Sequence, residues 1–226
     1  MTEKRSTKTI IGLIIAGVLS IIVALGALGY FQFYQTADNL YKQGNVFGEA
    51  PMKDEAYTAV KITGYAKNPI ATIDGGTKLY LIEFSKTDTD DFGYASIEVK
   101  DGDKLIDKLN AADDLVENPV IVAAKIRKSG ADGAIRNYTI EFKDTISENE
   151  TISKLAETEY YASVYEFDKD RQFSYIIAGI AGIIALVFFY SAFATRKSED
   201  KAYNELYSAY PELNYSMDSV LEDATY

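Results

Sequence analysis

The sequence predicts a membrane protein of the α+β class, in which two transmembrane helices flank an extracytoplasmic domain of five strands and one helix. Two runs, Thr9 to Ala37 and Phe173 to Thr195, contain no Asp, Glu, Lys or Arg. As helices rising 1.5 Å per residue they reach roughly 43 and 34 Å, enough to cross a hydrocarbon core of about 30 Å. Between them charge is dense and apolar residues alternate with a period of two, the mark of strands with one buried face.

Residues 1–8 form a short cytoplasmic N-terminus with Lys4, Arg5 and Lys8, and residues 9–33 form the first span. Basic residues resist translocation, so these cations and Arg196, Lys197 and Lys201 after the second span predict that both termini are cytoplasmic. Lys169 and Arg171 precede the second span, so the first span and the even span count decide the orientation. A cleaved signal peptide is the competing reading of the first run, given its basic start and small residues at Ala24, Gly26, Ala27 and Gly29. The apolar stretch is much longer than a signal core, which favours a retained anchor.

Residues 34–56 read as a polar connector containing Gly44, Gly48 and Pro51, and the extracytoplasmic domain occupies residues 57–143. From Tyr57, Val60, Ile62 and Gly64 alternate with polar neighbours. Tyr80, Ile82 and Phe84 then oppose Leu79 and Leu81, and Ala95, Ile97 and Val99 oppose Ser96 and Glu98. Asp101-Gly102 makes a turn, Asp103 is a good N-cap, and Leu105, Ile106 and Leu109 fall on one helical face. Pro119 opens a strand with Val120, Val122, Ala124 and Ile126, and Tyr138, Ile140 and Phe142 make a fifth. Five strands with a helix between the third and fourth resemble the OB-fold, a partly open barrel, and Gly64 supplies the bend its first strand requires. The resemblance implies an OB-like β-barrel whose binding surface is the face of its second and third strands, which puts Tyr65 and Tyr94 forward as ligand-stacking residues and Tyr80 in the core. The segment Tyr57 to Lys143 is expected to fold by itself.

Residues 144–172 read as a membrane-proximal helix, with Ile152, Leu155, Ala156, Tyr160, Val164 and Phe167 three or four apart, leading into the second span at 173–195. Tyr30, Phe31, Phe33 and Tyr34 match Phe173 and Tyr175 as aromatic anchors at the outer interface. Gly12, Ala16, Ser20 and Ala24 recur every four residues in the first span, and Ser174, Ala178 and Gly182 in the second. Such small residues let helices approach closely in lipid, either as an antiparallel hairpin of the two spans or against a partner. Neither span holds an ionisable group, which argues against a proton or ion path within this subunit.

The cytoplasmic tail, residues 196–226, is acidic and rich in tyrosine. Tyr203, Leu206, Tyr207 and Tyr210 form an aromatic stripe ended by Pro211, and Met217, Val220 and Leu221 begin another, implying two short amphipathic helices. The stripe is a candidate docking surface for a cytoplasmic partner, since 7 acids against 3 bases oppose binding to anionic headgroups.

The chain has no His and no Cys, which removes the usual base near neutral pH, thiol nucleophiles and most zinc sites. No phosphate-binding glycine loop is present, and Asp74-Gly75-Gly76 reads as a hairpin turn. Asp88, Asp90 and Asp91 faintly resemble a calcium loop, but Phe92 occupies a ligand position and Val99 stands where the closing Glu belongs. From residue 34 to 172 there are 17 Lys and Arg against 26 Asp and Glu, which repels nucleic acid and anionic lipid headgroups at long range and disfavours partners bearing phosphate. A domain without disulfides outside the cell favours a bacterial plasma membrane. The expected function is a non-catalytic, membrane-tethered extracytoplasmic binding or scaffold protein, without cofactor or metal, engaging protein, peptide or glycan. The alternative is an accessory subunit of a transporter or cell-envelope complex that packs against another membrane protein through its spans.

Overall fold

The computed structural model describes residues 3–49, 51–73, 76–86, 91–129, 157 and 159–209, which form two compact units: Leu28–Tyr175, and Met1–Ala27 with Ile176–Tyr226. Helix α1 covers Glu3–Gly29 and continues into a π-helical turn, Tyr30–Tyr34. Next come α2 (Ala37–Lys42), β1 (Tyr57–Tyr65), β2 (Ala71–Ile73), β3 (Thr77–Ser85), β4 (Phe92–Lys100), α3 (Lys104–Ala111), β5 (Val120–Lys128), β6 (Tyr160–Ser163) and α4 (Val164–Ala209).

In the first unit, β1, β5, β6, β4 and β3 close in that order into a five-stranded barrel, with β2 added to β3 as a hairpin arm. β1 makes the closure possible by changing partner along its length. Tyr57 to Ile62 pair with β5, Ile62 to Tyr65 pair with β3, and the register slips between Ile62 and Gly64. A Cβ on Gly64 would stand 3.3 Å from that of Glu83, so the bare backbone permits the bend to hug its neighbour. Where β1 leaves β3, its free edge is covered by Asn45 to Phe47: Phe47 N–H donates to the Ala59 carbonyl and Ala59 N–H to that of Asn45, at 2.9 and 2.8 Å.

Val60, Ile62, Tyr80, Ile82, Phe84, Ala95, Ile97, Val99, Ala124 and Ile126 fill the barrel, as their alternation predicts, and Leu105 and Leu109 of α3 join them. Asp103 caps α3 by accepting from Leu105 N–H at 2.8 Å. The connector 34–56 departs from its reading as a polar linker. Phe47 is fully buried in the barrel core against Phe84, with ring centroids 5.2 Å apart, and Leu40 is buried outside the barrel.

The fifth strand also departs from expectation. Tyr138, Ile140 and Phe142 lie outside the described residues, and the barrel is closed by Tyr160–Ser163, inside the stretch read as helix. β6 pairs parallel to β4 and antiparallel to β5. A fragment ending at Lys143 therefore lacks a barrel strand, and the expectation that Tyr57 to Lys143 folds alone is withdrawn. Helix α4 begins at Val164, where the Ser163 hydroxyl accepts from Glu166 N–H at 3.0 Å, half of a capping box.

In the second unit, α1 and α4 are long and apolar enough to cross a membrane, with apolar windows only 6% and 22% buried. Of the small residues singled out above, Gly12 is exposed with nothing within 4 Å of its missing Cβ, and Gly182 likewise has no close neighbour. Ala16, Ser20 and Ala24 are half-buried and Ala178 is buried, as is Ser174 of the first unit. The tightest approach is at Gly17, where a Cβ would stand 2.9 Å from Cζ of Phe189. Ile10, Leu13, Gly17, Ser20, Ala24 and Ala27 of α1, all buried or half-buried, alternate steps of three and four, as do the buried Ala178, Ala181 and Ala185. That heptad spacing is the signature of side chains interlocking along a helix pair, and it shares Ser20, Ala24 and Ala178 with the small-residue stripes. Gly17→Leu is expected to cost about 1–3 kcal/mol through overpacking. Thermal denaturation in detergent would show a lowered Tm, recovered in part when Phe189→Ala is added; no change would place the contact elsewhere.

Candidate functional site

The outward face of β3 and β4 carries residues that alternate with the core, among them Leu81, Glu83 and Tyr94, with Glu83 opposite Tyr94 in the register; Ser96, on the same side, is buried. Tyr94 Oη donates to Glu83 Oε2 at 3.0 Å, and Thr63 Oγ1 donates to Glu83 Oε1 at 3.0 Å. Burial and the Glu83 carboxylate raise the Tyr94 phenol above its ordinary range, so it stays a neutral donor. Phe92 stands edge-on to Tyr94 at 6.0 Å and is exposed. The result is a shallow surface with two aromatic rings and a fixed carboxylate, able to stack on a flat group and accept its hydrogen bonds.

Tyr65 does not belong to this face. Its ring packs against the barrel core and its hydroxyl bonds Asn110 at the end of α3, so it ties β1 to the helix. Tyr80 is buried in the core. The tail residues Tyr203 and Leu206 are exposed on α4, which runs unbroken to Ala209 where a separate short helix is expected; Tyr207 lies on the same helix and Tyr210 outside the described residues. Asp88 and Asp90 also lie outside them. Among the described residues no group of three His, Cys, Asp or Glu is arranged to hold a metal ion.

Two features escape sequence reasoning. The first is an aromatic and aliphatic cluster on the outside of β1 and β5. Phe31 from the π-helical turn, Tyr57 from β1 and Phe167 from α4 meet edge to face, with centroids 5.4 to 5.6 Å apart, over Leu40, Ala59 and Ala123. The chain leaving α1 and the start of α4 thus both pack on the barrel.

The second is a knot of ion pairs beside that cluster. Lys125 Nζ, nearly buried, lies 2.5 Å from Glu55 Oε2 and 2.9 Å from Asp170 Oδ2. Arg127 pairs with Glu55 at 2.7 Å and with Glu166. Tyr57 Oη donates to the same Asp170 oxygen at 2.9 Å. Glu55 reaches both cations from a left-handed backbone with φ 69°, a conformation that costs a residue with a Cβ about 1 kcal/mol or more, and its N–H is held by the Ile126 carbonyl at 2.9 Å. Burial opposes the charge on Lys125, yet the hydrogen bonds to Glu55 and Asp170 outweigh it and raise its pKa. Burial and Asp170 raise the Tyr57 phenol as well. Lys125 and Arg127 hide in the alternation of β5, where outward polar residues read as solvated; only the folded chain brings carboxylates from 55, 166 and 170 over them. No family model matches the chain, and no curated protein or solved structure matches it either.

Proposed function

We propose that this chain is a non-catalytic, membrane-tethered binding or scaffold protein whose OB-like barrel engages a protein, peptide or glycan outside a bacterial plasma membrane. The carrying observation is the barrel's strand order. Counting its five strands in sequence, the order is first, second, third, fifth, fourth and back to the first, with the third and fifth parallel and a helix between the third and fourth. That order supports the OB-like reading, on which the binding face would lie on the second and third strands, here β3 and β4 with Phe92, Tyr94 and Glu83. The membrane reading is supported by exposed apolar side chains along both long helices, among them Ile15, Leu19, Ile22, Leu25, Ile183 and Leu186, a larger apolar surface than a water-soluble monomer sustains. Both termini are then cytoplasmic, and the tail stripe read from the spacing of Tyr203, Leu206, Tyr207 and Tyr210 is offered to a cytoplasmic partner.

The full chain with Phe92→Ala and Tyr94→Ala, purified from native membrane in mild detergent, is expected to lose the protein or glycan that accompanies the unaltered chain, while its Tm changes little. Retention of the same company would remove this face from the proposal.

An accessory subunit is the second reading. Gly12, Gly26, Gly179 and Gly182 have no atom within 4 Å of the missing Cβ, so these helix surfaces leave room for a close-packed helix of another membrane protein.

A further inference from the structure

Glu83 is a half-buried carboxylate on the outward face of β3 and β4, and among the described residues no Lys or Arg pairs with it. Its two oxygens accept one hydroxyl each, Oε2 from Tyr94 and Oε1 from Thr63, both at 3.0 Å. A carboxylate offers about four acceptor sites, so each oxygen keeps capacity for a further donor. Gly64 stands opposite Glu83 in the register, and the three atoms nearest to the Cβ it lacks all belong to Glu83, Oε1 among them at 3.9 Å. Without a side chain at 64, β1 leaves that flank of the carboxylate uncovered. On the other flank Phe92, which is exposed, meets Tyr94 at 88°, so the two rings form a corner. The hairpin loop above them is closed by Lys86 N–H donating to the Asp91 carbonyl at 3.1 Å, and residues 86–91 hold three Asp against one Lys.

We propose that this face binds arginine side chains carried by a basic segment of a partner protein. A guanidinium is a flat cation whose parallel N–H groups match the two oxygens of Glu83, and its plane lies on the Phe92 ring. Phe92 is the diagonal cross-strand neighbour of Glu83, about 7–8 Å away at the backbone, which lets one long side chain touch both. A lysine ammonium is a point charge and cannot fork and stack at once. Charge selects protein over glycan: a neutral sugar would stack on the ring but gain nothing from 26 acids against 17 bases in residues 34 to 172, whereas a basic segment is steered by that excess. Tyr94 and Thr63 already hold the carboxylate in place, which lowers the ordering cost of binding. The proposal deepens the reading of β3 and β4 as the binding face and rests on it.

The full chain in uncharged detergent is titrated at low salt against a fluorescein-labelled peptide of alternating serine and arginine, and anisotropy reads the affinity. The same peptide with lysine, or with citrulline as the uncharged isostere, replaces it in parallel titrations. The unaltered chain is expected to bind the arginine peptide about ten-fold more tightly than the lysine peptide, and the citrulline peptide most weakly. Glu83→Gln brings the arginine peptide down to the level of the lysine peptide while the Tm of the chain holds. Phe92→Ala costs about three-fold, the loss of an exposed cation–π contact. Glu117→Gln removes an equal charge from an exposed position between α3 and β5 and leaves the affinity unchanged. Equal affinity for the arginine and lysine peptides, or equal losses in Glu83→Gln and Glu117→Gln, overturns the arginine proposal, and the face itself still stands if the Phe92→Ala, Tyr94→Ala chain loses its native company. Retention of that company by the double variant overturns the face.

Discussion

Gly48→Ala is expected to destabilise the barrel by about 3 kcal/mol, the sum of a left-handed backbone penalty of about 1–2 kcal/mol and an overpacking term of similar size. Gly48 has φ 84°, and a Cβ there would stand 2.3 Å from Cε2 of Phe84. Phe84 cannot easily withdraw, because its ring is buried and held edge-on by Phe47. Gly44 separates the two costs. It has φ 74° and no atom within 4 Å, so Gly44→Ala should lose only the backbone part, about 1–2 kcal/mol. Hydrogen exchange of β1 and β3 amides in the detergent-solubilised chain reads both. Gly48→Ala should accelerate exchange across the barrel, and adding Phe84→Leu should return part of the protection. Equal effects at Gly44 and Gly48 would show that the Phe84 contact is immaterial.

Lys125→Met is expected to cost about 1–2 kcal/mol at neutral pH, because it removes the nearly buried cation shared by Asp170 and Glu55, although both carboxylates keep contact with water and Glu55 keeps Arg127. The effect depends on pH with a definite sign. Lys125 and Tyr57 both have folded pKa values above their ordinary 10.5 and 10.0, so the folded chain holds those protons more tightly than the unfolded one. Their contribution is complete below about pH 10 and is lost as pH rises through the folded values. Chemical denaturation from pH 8 to 11.5 should therefore show the unaltered chain losing stability on the alkaline side and the Lys125→Met chain losing less. A constant gap between the two would mean that the ion pairs contribute nothing. Asp170→Asn added to Lys125→Met should restore part of the loss, since fewer like charges then face each other.

Where sequence and structure agree, the signal is local. Val60 to Gly64, Tyr80 to Phe84 and Ala95 to Val99 alternate over several residues, so each strand announces its buried face, and Asp103 marks the start of α3 by its side-chain chemistry. Where they part, the deciding partner is remote in sequence. β6 has four residues, too few for a period of two to register, and Tyr160, Val164 and Phe167 keep helical spacing through it. A local sign did exist: Ser163-Val164-Tyr165-Glu166 is a helix-start pattern placed at the start of α4. Tyr65 and Tyr94 look alike in sequence, yet the register slip near Gly64 sends the first toward α3 and leaves the second on the outer face with Glu83.

The sequence by itself determined the two long apolar helices, the first four barrel strands and the single helix among them, because hydropathy and periodicity are properties of neighbours along the chain. Only the tertiary structure decided that Tyr160–Ser163 closes the barrel, that Phe47 and Leu40 of a seemingly polar connector are buried, and that Lys125 lies among carboxylates from residues 55 and 170. The physical reason is common to all three. Each depends on which surfaces meet when a sheet curls shut, and the free energy of that meeting belongs to pairs of residues far apart in the chain.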